Sequence, residues 1–166
     1  MMKKRLLAAS ALLAALAFAL VGAPALVADE SDAPFVGVCE RVVDGDTIVV
    51  KGLGKVRLIG IDTPETVHPN KPVEYFGKEA SAFTKRMVEG KRVRLEWDFQ
   101  KTDKYRRYLA YVYLVEGDVF VNEEIVRQGY GFAYTKYPFR YMERFRALER
   151  EAREAGRGLW AQGDGS

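Results

Sequence analysis

The first half of the chain holds three short apolar runs separated by turn-forming residues. Asp44-Gly45 divides the first run from the second, and Gly52-Leu53-Gly54 divides the second from the third. Such dipeptides between apolar runs are typical of tight turns between antiparallel strands. The pattern therefore predicts a meander of three strands. The three runs are residues 36–42, 47–50 and 56–61.

Two further strands are predicted later in the chain. From Arg92 to Phe99, charged residues alternate strictly with apolar ones, which indicates a strand with one buried face. A polar segment from Gln100 to Arg107 follows, and then an apolar run from Tyr108 to Val115. We expect this last run to be the fifth strand, with residues 100–107 as the loop before it.

Apolar spacings of three and four predict helices between and after these strands. The first helix would end at Gly90, and a short one, capped by Asn122, would stop at Gly129. The last covers about residues 140–155, and its arginines form either a solvated face or a nucleic-acid patch. The apolar faces are Val73, Phe76, Ala80, Phe83 and Met87 in the first helix, and Met142, Phe145, Leu148, Ala152 and Ala155 in the last.

The order of these elements indicates one fold class. Three strands, a helix, two strands and further helices fit an α+β domain, mainly β, built on a five-stranded antiparallel OB-type barrel with about three helices. In that fold the face of the second and third strands binds ligands, together with the first–second and fourth–fifth loops. The polar motifs of this chain lie largely at those places.

The N-terminal residues have the composition of a secretory signal peptide. Three basic residues precede an apolar run from Leu6 to Val21, and small residues follow, with cleavage expected near Ala25 or Ala28. The alternative is an uncleaved membrane anchor, because an apolar segment extended to Val27 is long enough to span a bilayer. We thus divide the chain into a signal peptide (1–28), a loose lead-in (29–34) and one domain (35–162), and expect a secreted or periplasmic protein.

Charge and cysteine content narrow the picture further. Removing Lys3, Lys4 and Arg5 with the signal leaves 23 of the 26 basic residues against 23 acidic ones, so net charge gives no support for nucleic-acid binding. Cys39 is the single cysteine, which excludes an internal disulfide. A buried, inert thiol and a reactive or dimerising one both remain open for Cys39.

Three polar segments could carry chemistry, although each alone could be an ordinary turn or surface loop. They are Asp44-Gly45-Asp46-Thr47, then Arg57 with Asp62-Thr63-Pro64-Glu65, and then Thr102 to Arg107. Together they offer two carboxylates, Asp46 and Asp62, of the kind that a hard divalent cation prefers.

The remaining groups of these segments suit phosphate chemistry. Arg57 and Arg107 carry planar, permanently charged forks that match phosphate oxygens. Glu65 can accept a proton from water. His68 is the single histidine, which is too few for a zinc site.

These motifs, in this order, resemble the staphylococcal nuclease (thermonuclease) family from about Phe35 to Trp160. The resemblance also includes His68-Pro69, the run Glu79 to Lys85, Val121-Asn122-Glu123 and Val126 to Gly129. It implies a Ca²⁺-dependent nuclease that hydrolyses phosphodiester bonds of DNA and RNA, leaves 3′-phosphates and is a monomer. A non-catalytic binding module of the same fold is the rival, and it would lack the acidic and arginine residues that are all present here.

The resemblance also implies roles for individual residues. Asp46 and Asp62 would bind Ca²⁺ through carboxylates and Thr63 through its main-chain carbonyl, with Asp44 behind them. Glu65 would position the attacking water, and Arg57 and Arg107 would hold the scissile phosphate. The residues expected to touch the nucleotide are Lys71, Lys104, Tyr105 and Tyr134. The chain departs from the family at Arg106, where a glycine is usual, and glycine is often needed for a positive φ.

Overall fold

The computed structural model describes residues 33–67 and 72–161. The predicted signal peptide (1–28) and most of the predicted lead-in (29–34) lie outside the described residues. Within those described parts, no helix is both long enough and apolar enough to cross a bilayer.

Five strands close into a barrel, and two short strands form a separate two-stranded sheet. The predicted class, an α+β fold with a five-stranded OB-type barrel and three helices, is confirmed. In chain order the elements are β1 (Phe35–Asp44), β2 (Thr47–Val50), β3 (Gly54–Leu58), β4 (Ile61–Asp62), α1 (Gly77–Val88), β5 (Arg92–Glu96), β6 (Tyr108–Leu114), α2 (Val121–Arg127), β7 (Phe132–Ala133) and α3 (Met142–Glu154).

One pair of strands differs from the predicted antiparallel set. β1–β2, β2–β3, β1–β5 and β5–β6 are antiparallel, but β3 and β6 run parallel, with Arg57 opposite Leu109. This pair joins the first half of the domain to the second and closes the barrel. Because the barrel is closed, none of its five strands is a free edge strand.

The core lies inside the barrel and between the barrel and the helices. Its fully buried members come from every barrel strand and from all three helices, so the helices cover the barrel rather than form a layer of their own. Cys39 is among them, which agrees with a buried thiol. The largest of these side chains are Tyr111, Phe145, Ile48, Leu58, Ile61, Leu95 and Ile125.

The apolar periodicity overestimates the length of two elements, the first helix and the strand predicted from Arg92 to Phe99. α1 begins at Gly77, because Phe76 adopts a left-handed backbone (φ 64°) that breaks the helix, and Val73 is exposed. Phe76 still packs against Tyr130, with ring centroids 5.4 Å apart, so it belongs to the apolar stripe without being helical. β5 ends at Glu96, and Phe99 is 89% exposed.

Asn122 has a different role from the predicted helix cap. Phe120 is the N-cap of α2, and Asn122 lies inside its first turn, fully buried. Its side chain accepts a hydrogen bond from Val112 N (2.9 Å) and donates to Ile59 O (2.9 Å) and Ala110 O (3.3 Å). The amide therefore ties α2 to the seam between β3 and β6.

Candidate active site

The turn between β1 and β2 holds two of the predicted acidic residues. Asp44 ends β1, Asp46 precedes β2, and both are buried. The Thr84 hydroxyl of α1 donates to Gly45 O (2.6 Å), and Leu58 N of β3 donates to Asp46 O (2.9 Å). Contacts from two neighbouring elements thus fix the backbone of this turn, and with it the positions of both carboxylates.

Arg57 connects the turn to the end of β3. Its Nη1 donates to Leu58 O (3.1 Å) and Ile61 O (2.8 Å). Its Nη2 lies 2.9 Å from Asp46 Oδ2 and 3.0 Å from Asp62 Oδ1. The two carboxylate oxygens therefore lie on one nitrogen, and Asp46 and Asp62 converge on Arg57.

A second turn carries Asp62 and Thr63 to the same place. Gly60 has φ +76°, and a side chain there would overlap the ring of Phe139, so the tight turn from β3 to β4 requires glycine. β4 then pairs with β7, with Asp62 opposite Phe132. Thr63 N donates to Asp46 Oδ2 (3.3 Å), which locks the end of β4 against the first turn.

The donor atoms gathered here are all oxygens. Among the described residues no cluster of three or more His, Cys, Asp or Glu side chains has metal-ligating geometry, so the candidate set is two carboxylates and main-chain oxygen. The buried Thr63 hydroxyl has no hydrogen-bond partner, which leaves another oxygen beside the carboxylates. Oxygen donors of this kind fit Ca²⁺ or Mg²⁺ and do not suit zinc.

Glu65 lies next to this cluster on the following loop. Its Oε1 accepts hydrogen bonds from Thr66 N (3.0 Å) and Val67 N (2.8 Å). Its backbone pairs with Glu74 twice, since Glu65 N donates to Glu74 Oε2 (3.1 Å) and Glu74 N donates to Glu65 O (2.9 Å). Glu74 therefore holds the segment that presents Glu65.

Asp44 holds the loop of Glu65 in place through a hydrogen bond from the next residue, Thr66. The Thr66 hydroxyl donates to Asp44 Oδ1 (2.7 Å), and Gly45 N donates to the same oxygen (2.8 Å). Burial, followed by a hydrogen bond with Glu65, raises the pKa of Asp44 to about 6, although the Thr66 hydroxyl opposes the shift. Partial burial also raises the pKa of Asp62, whose side chain is half-exposed, against the lowering effect of Arg57. Crowding of carboxylates in a partly buried place is what a cation would relieve.

Arg107 enters from the loop between β5 and β6. Asp103 organises this loop: its Oδ1 accepts from Tyr105 N (2.8 Å) and Arg107 N (3.0 Å), and its Oδ2 accepts from Arg107 Nε (2.7 Å). Arg107 Nη1 then lies 3.5 Å from Thr47 Oγ1. The end of the guanidinium thus points at the turn that carries Asp46.

Thr47 lies between the two arginines of the site, Arg57 and Arg107. It is the cross-strand partner of Arg57, its hydroxyl donates to Asp46 Oδ1 (2.9 Å), and the same oxygen faces Arg107. Four residues that support the site were not predicted from the sequence: Thr47, Thr66, Glu74 and Asp103. Thr47 and Asp103 stand inside quoted motifs, so their place was visible in the sequence, whereas the pairing of Glu74 with Glu65 crosses a loop and leaves no local pattern.

The residues predicted to touch the nucleotide are placed unevenly. Tyr105 is 67% exposed beside Arg107, whose Cζ lies 5.5 Å from the ring centroid, and Lys104 Nζ lies 5.0 Å from the same centroid. Tyr134 follows β7, and its N donates to Gly60 O (2.9 Å), which places it beside the strand of Asp62. Lys71 lies outside the described residues.

The geometry defines an OB-type barrel with an acidic–arginine cluster at the ends of its second and third strands. A family model described as staphylococcal nuclease homologue matches residues 55–162, which include Arg57, Asp62, Glu65 and Arg107. The chain belongs to the staphylococcal nuclease family, as the motifs predicted.

Individual relatives agree with this membership. The chain is 46% identical over 125 residues to the thermonuclease of Staphylococcus hyicus, covering 73% of each chain. It is 44% identical over 125 residues to the thermonuclease of Staphylococcus intermedius, again over 73% of each. It is 40% identical over 129 residues to the endonuclease YncB of Bacillus subtilis, covering 74% of this chain and 60% of that one.

Proposed function

We propose that this chain is a Ca²⁺-dependent nuclease that hydrolyses phosphodiester bonds of DNA and RNA. Membership of the family and similarity to two thermonucleases and an endonuclease support nuclease activity. The observation that carries the proposal is the meeting of Arg57, Asp46 and Arg107 around Thr47. Two fixed guanidinium groups beside converging carboxylates suit a phosphate and a hard cation together.

Asp46, Asp62 and the main chain of Thr63 would hold the cation, with Asp44 behind them. The cation would supply positive charge close to the phosphate oxygens. The Thr47 hydroxyl and Thr63 N hold the Asp46 carboxylate in place before binding, and the cation would replace Arg57 Nη2 on its oxygen. Preorganised charge of this kind lowers an activation barrier more than groups that must first reorient.

The protein side chains divide the remaining work. Glu65 positions a water and takes its proton while the water oxygen attacks phosphorus. The bond from phosphorus to the 5′-oxygen breaks, and the 5′-oxygen takes up a proton from solvent, so the products are a 3′-phosphate and a 5′-hydroxyl. Arg57 and Arg107 stabilise the negative charge that increases on the phosphoryl oxygens. Asp103 anchors Arg107 through Nε, which leaves the Nη groups of Arg107 to reach the phosphate. Arg57 would exchange its Nη2 contacts with Asp46 and Asp62 for the phosphate when the cation binds those carboxylates.

Cleavage of DNA and RNA in a gel, with and without a Ca²⁺ chelator, tests this proposal. We expect cleavage of both polymers in Ca²⁺, none in excess chelator, and recovery when Ca²⁺ is restored. Glu65→Gln and Asp46→Ala should each be strongly impaired. Glu116→Gln, which changes an exposed carboxylate in the 3₁₀ turn 116–118, is the matched control and should cleave normally. Full activity in chelator would refute the metal requirement, and no cleavage under any condition would refute the enzyme.

We also propose export with removal of the N-terminal segment near Ala25 or Ala28, and a monomeric enzyme. The basic start, apolar run and small residues of that segment support export and cleavage. Intact-mass measurement of protein recovered from the medium or periplasm tests it. A mass that still includes residues 1–21 would indicate a membrane-anchored form.

A further inference from the structure

Arg106 has a backbone conformation that favours glycine. Its φ is 62°. Arg106 N donates to Asp103 O (3.0 Å), and Asp103 N donates to Arg107 O (3.0 Å), so residues 103–107 form a tight turn closed by two backbone bonds. The residue before the closing one in such a turn must take a left-handed conformation. A side chain at this position strains the backbone.

The side chain of Arg106 makes no contact in the described part of the chain that would stabilise the fold. It is exposed, and within residues 33–67 and 72–161 it makes no hydrogen bond, ion pair or ring contact. Arg107, its neighbour, is anchored by Asp103, and Lys104 and Arg107 both lie against the ring of Tyr105. Strain without a structural contact is typical of a residue whose use lies in binding.

The surroundings of Arg106 indicate what it would bind. The turn presents Lys104, Arg106 and Arg107, and its single acidic residue, Asp103, is neutralised by Arg107. The face at the tip of the turn is therefore cationic, with a largely exposed aromatic ring between the charges. Cations alternating with an exposed ring suit a single-stranded polynucleotide, whose phosphates and bases alternate in the same way.

We propose that Arg106 binds a backbone phosphate of the substrate next to the one held by Arg57 and Arg107. Its contact extends the binding site beyond one phosphodiester, so the chain favours polynucleotides over the shortest substrates. The inference rests on the proposed nuclease function, since it assigns a binding residue to that same site. Arginine at this position exchanges backbone stability for a phosphate contact that glycine cannot make.

Two substrates and four variants test this inference in cleavage assays. The substrates are a dinucleotide with a single phosphodiester and a single strand of about 12 nucleotides, within the range of sites on OB folds. The variants are Arg106→Gly, which suits the left-handed backbone, Arg106→Ala, Arg106→Lys, and Arg150→Ala as control. Arg150 is an exposed arginine of α3 with no side-chain partner among the described residues, so the control removes the same charge elsewhere.

We expect Arg106→Gly and Arg106→Ala to raise KM for the longer strand roughly 3–10-fold at low salt, with kcat unchanged. The dinucleotide should be cleaved with unchanged constants, Arg106→Lys should retain most of the affinity, and Arg150→Ala should match the parent. Binding of the longer strand to Glu65→Gln protein, measured by anisotropy, should lose about 0.7 from its log–log salt slope when Arg106 is changed. The urea midpoint of Arg106→Gly should rise above that of the parent.

Equal behaviour of the Arg106 variants and Arg150→Ala on the longer strand would overturn the inference. So would an equal loss on the dinucleotide, because it would place Arg106 at the cleaved phosphate. Failure of the parent protein to cleave either substrate would refute the proposed function instead. The salt slope, measured without cleavage, would then still decide whether Arg106 contacts the strand.

Discussion

The two carboxylates that share Arg57 should be coupled to it with unequal strength. Arg57 Nη2 is equally close to both, at 2.9 Å from Asp46 and 3.0 Å from Asp62. Burial distinguishes them, because the side chain of Asp46 is 10% exposed and that of Asp62 is 52% exposed, beside an arginine that is 14% exposed. Distance alone therefore predicts equal couplings, and burial predicts unequal ones.

The magnitudes follow from the surroundings of each pair. A hydrogen bond between charged groups away from water contributes about 1.5–3 kcal/mol, and we expect this for Asp46 and Arg57. Water screens the pair with Asp62, which should contribute about 0.2–1 kcal/mol. Arg57→Ala should itself destabilise the protein by about 3–5 kcal/mol, since it leaves Asp46 buried without its cation.

Two double-mutant cycles measure these couplings. Asp46→Asn and Asp62→Asn keep the size of each side chain, and each is combined with Arg57→Ala. Urea unfolding at pH 7 in excess chelator gives the free energies of unfolding without a bound cation. Loss of the Leu58 and Ile61 carbonyl contacts is common to both cycles and cancels. Equal couplings, or a larger one for Asp62, would show that burial does not control these interactions.

Three further predictions follow from other parts of the structure. Arg107→Ala should lower kcat about 10²–10³-fold. Arg107→Lys should recover little of the lost rate, because a point charge cannot replace the planar fork of the guanidinium. A normal rate for Arg107→Ala together with a strongly reduced rate for Arg106→Ala would contradict our assignment of the two arginines in this loop. Asn122→Ala should cost about 2–4 kcal/mol in urea unfolding, since Val112 N and Ile59 O lose the hydrogen bond to its side chain. A cost of about 1 kcal/mol or less would suit a simple helix cap instead. Burial raises the pKa of Cys39 to about 11. The stability that the buried thiol contributes is therefore intact below the pKa of an unfolded thiol, about 8.5, and is lost as pH rises through 11. The urea midpoint should fall over that pH range more steeply than in Cys39→Ala, and equal slopes would contradict this.

Local patterns predicted the barrel strands because each strand has its own alternation and its own turn residues. They could not predict the parallel pairing of β3 with β6, because that contact joins distant parts of the chain and leaves no mark on either strand alone. The alternation from Arg92 to Phe99 continues past the place where β5 loses its partner, so the strand was predicted too long. Phe76 was wrongly predicted to be helical. It is apolar because it packs against Tyr130, and it precedes the helix.

The site was predictable to the extent that its residues stand in short motifs. Asp46, Asp62 and Arg57 converge as those motifs suggested. The supporting contacts of Glu74 and Asp103 depend on how two loops fold back on themselves, which composition does not encode. The left-handed conformation of Arg106 was only partly predictable. The sequence showed an arginine where glycine is usual, which suggested a positive φ, and the structure shows that φ is 62°.

The parallel seam between β3 and β6 also determines when the active site can exist during synthesis. Arg57 lies on one side of the seam, opposite Leu109, and Arg107 immediately precedes the other side. A nascent chain that has not yet emerged as far as β6 has its acidic residues but no second arginine and no closed barrel to hold the first. The cluster of the site is therefore incomplete in a nascent chain until most of the domain has been made.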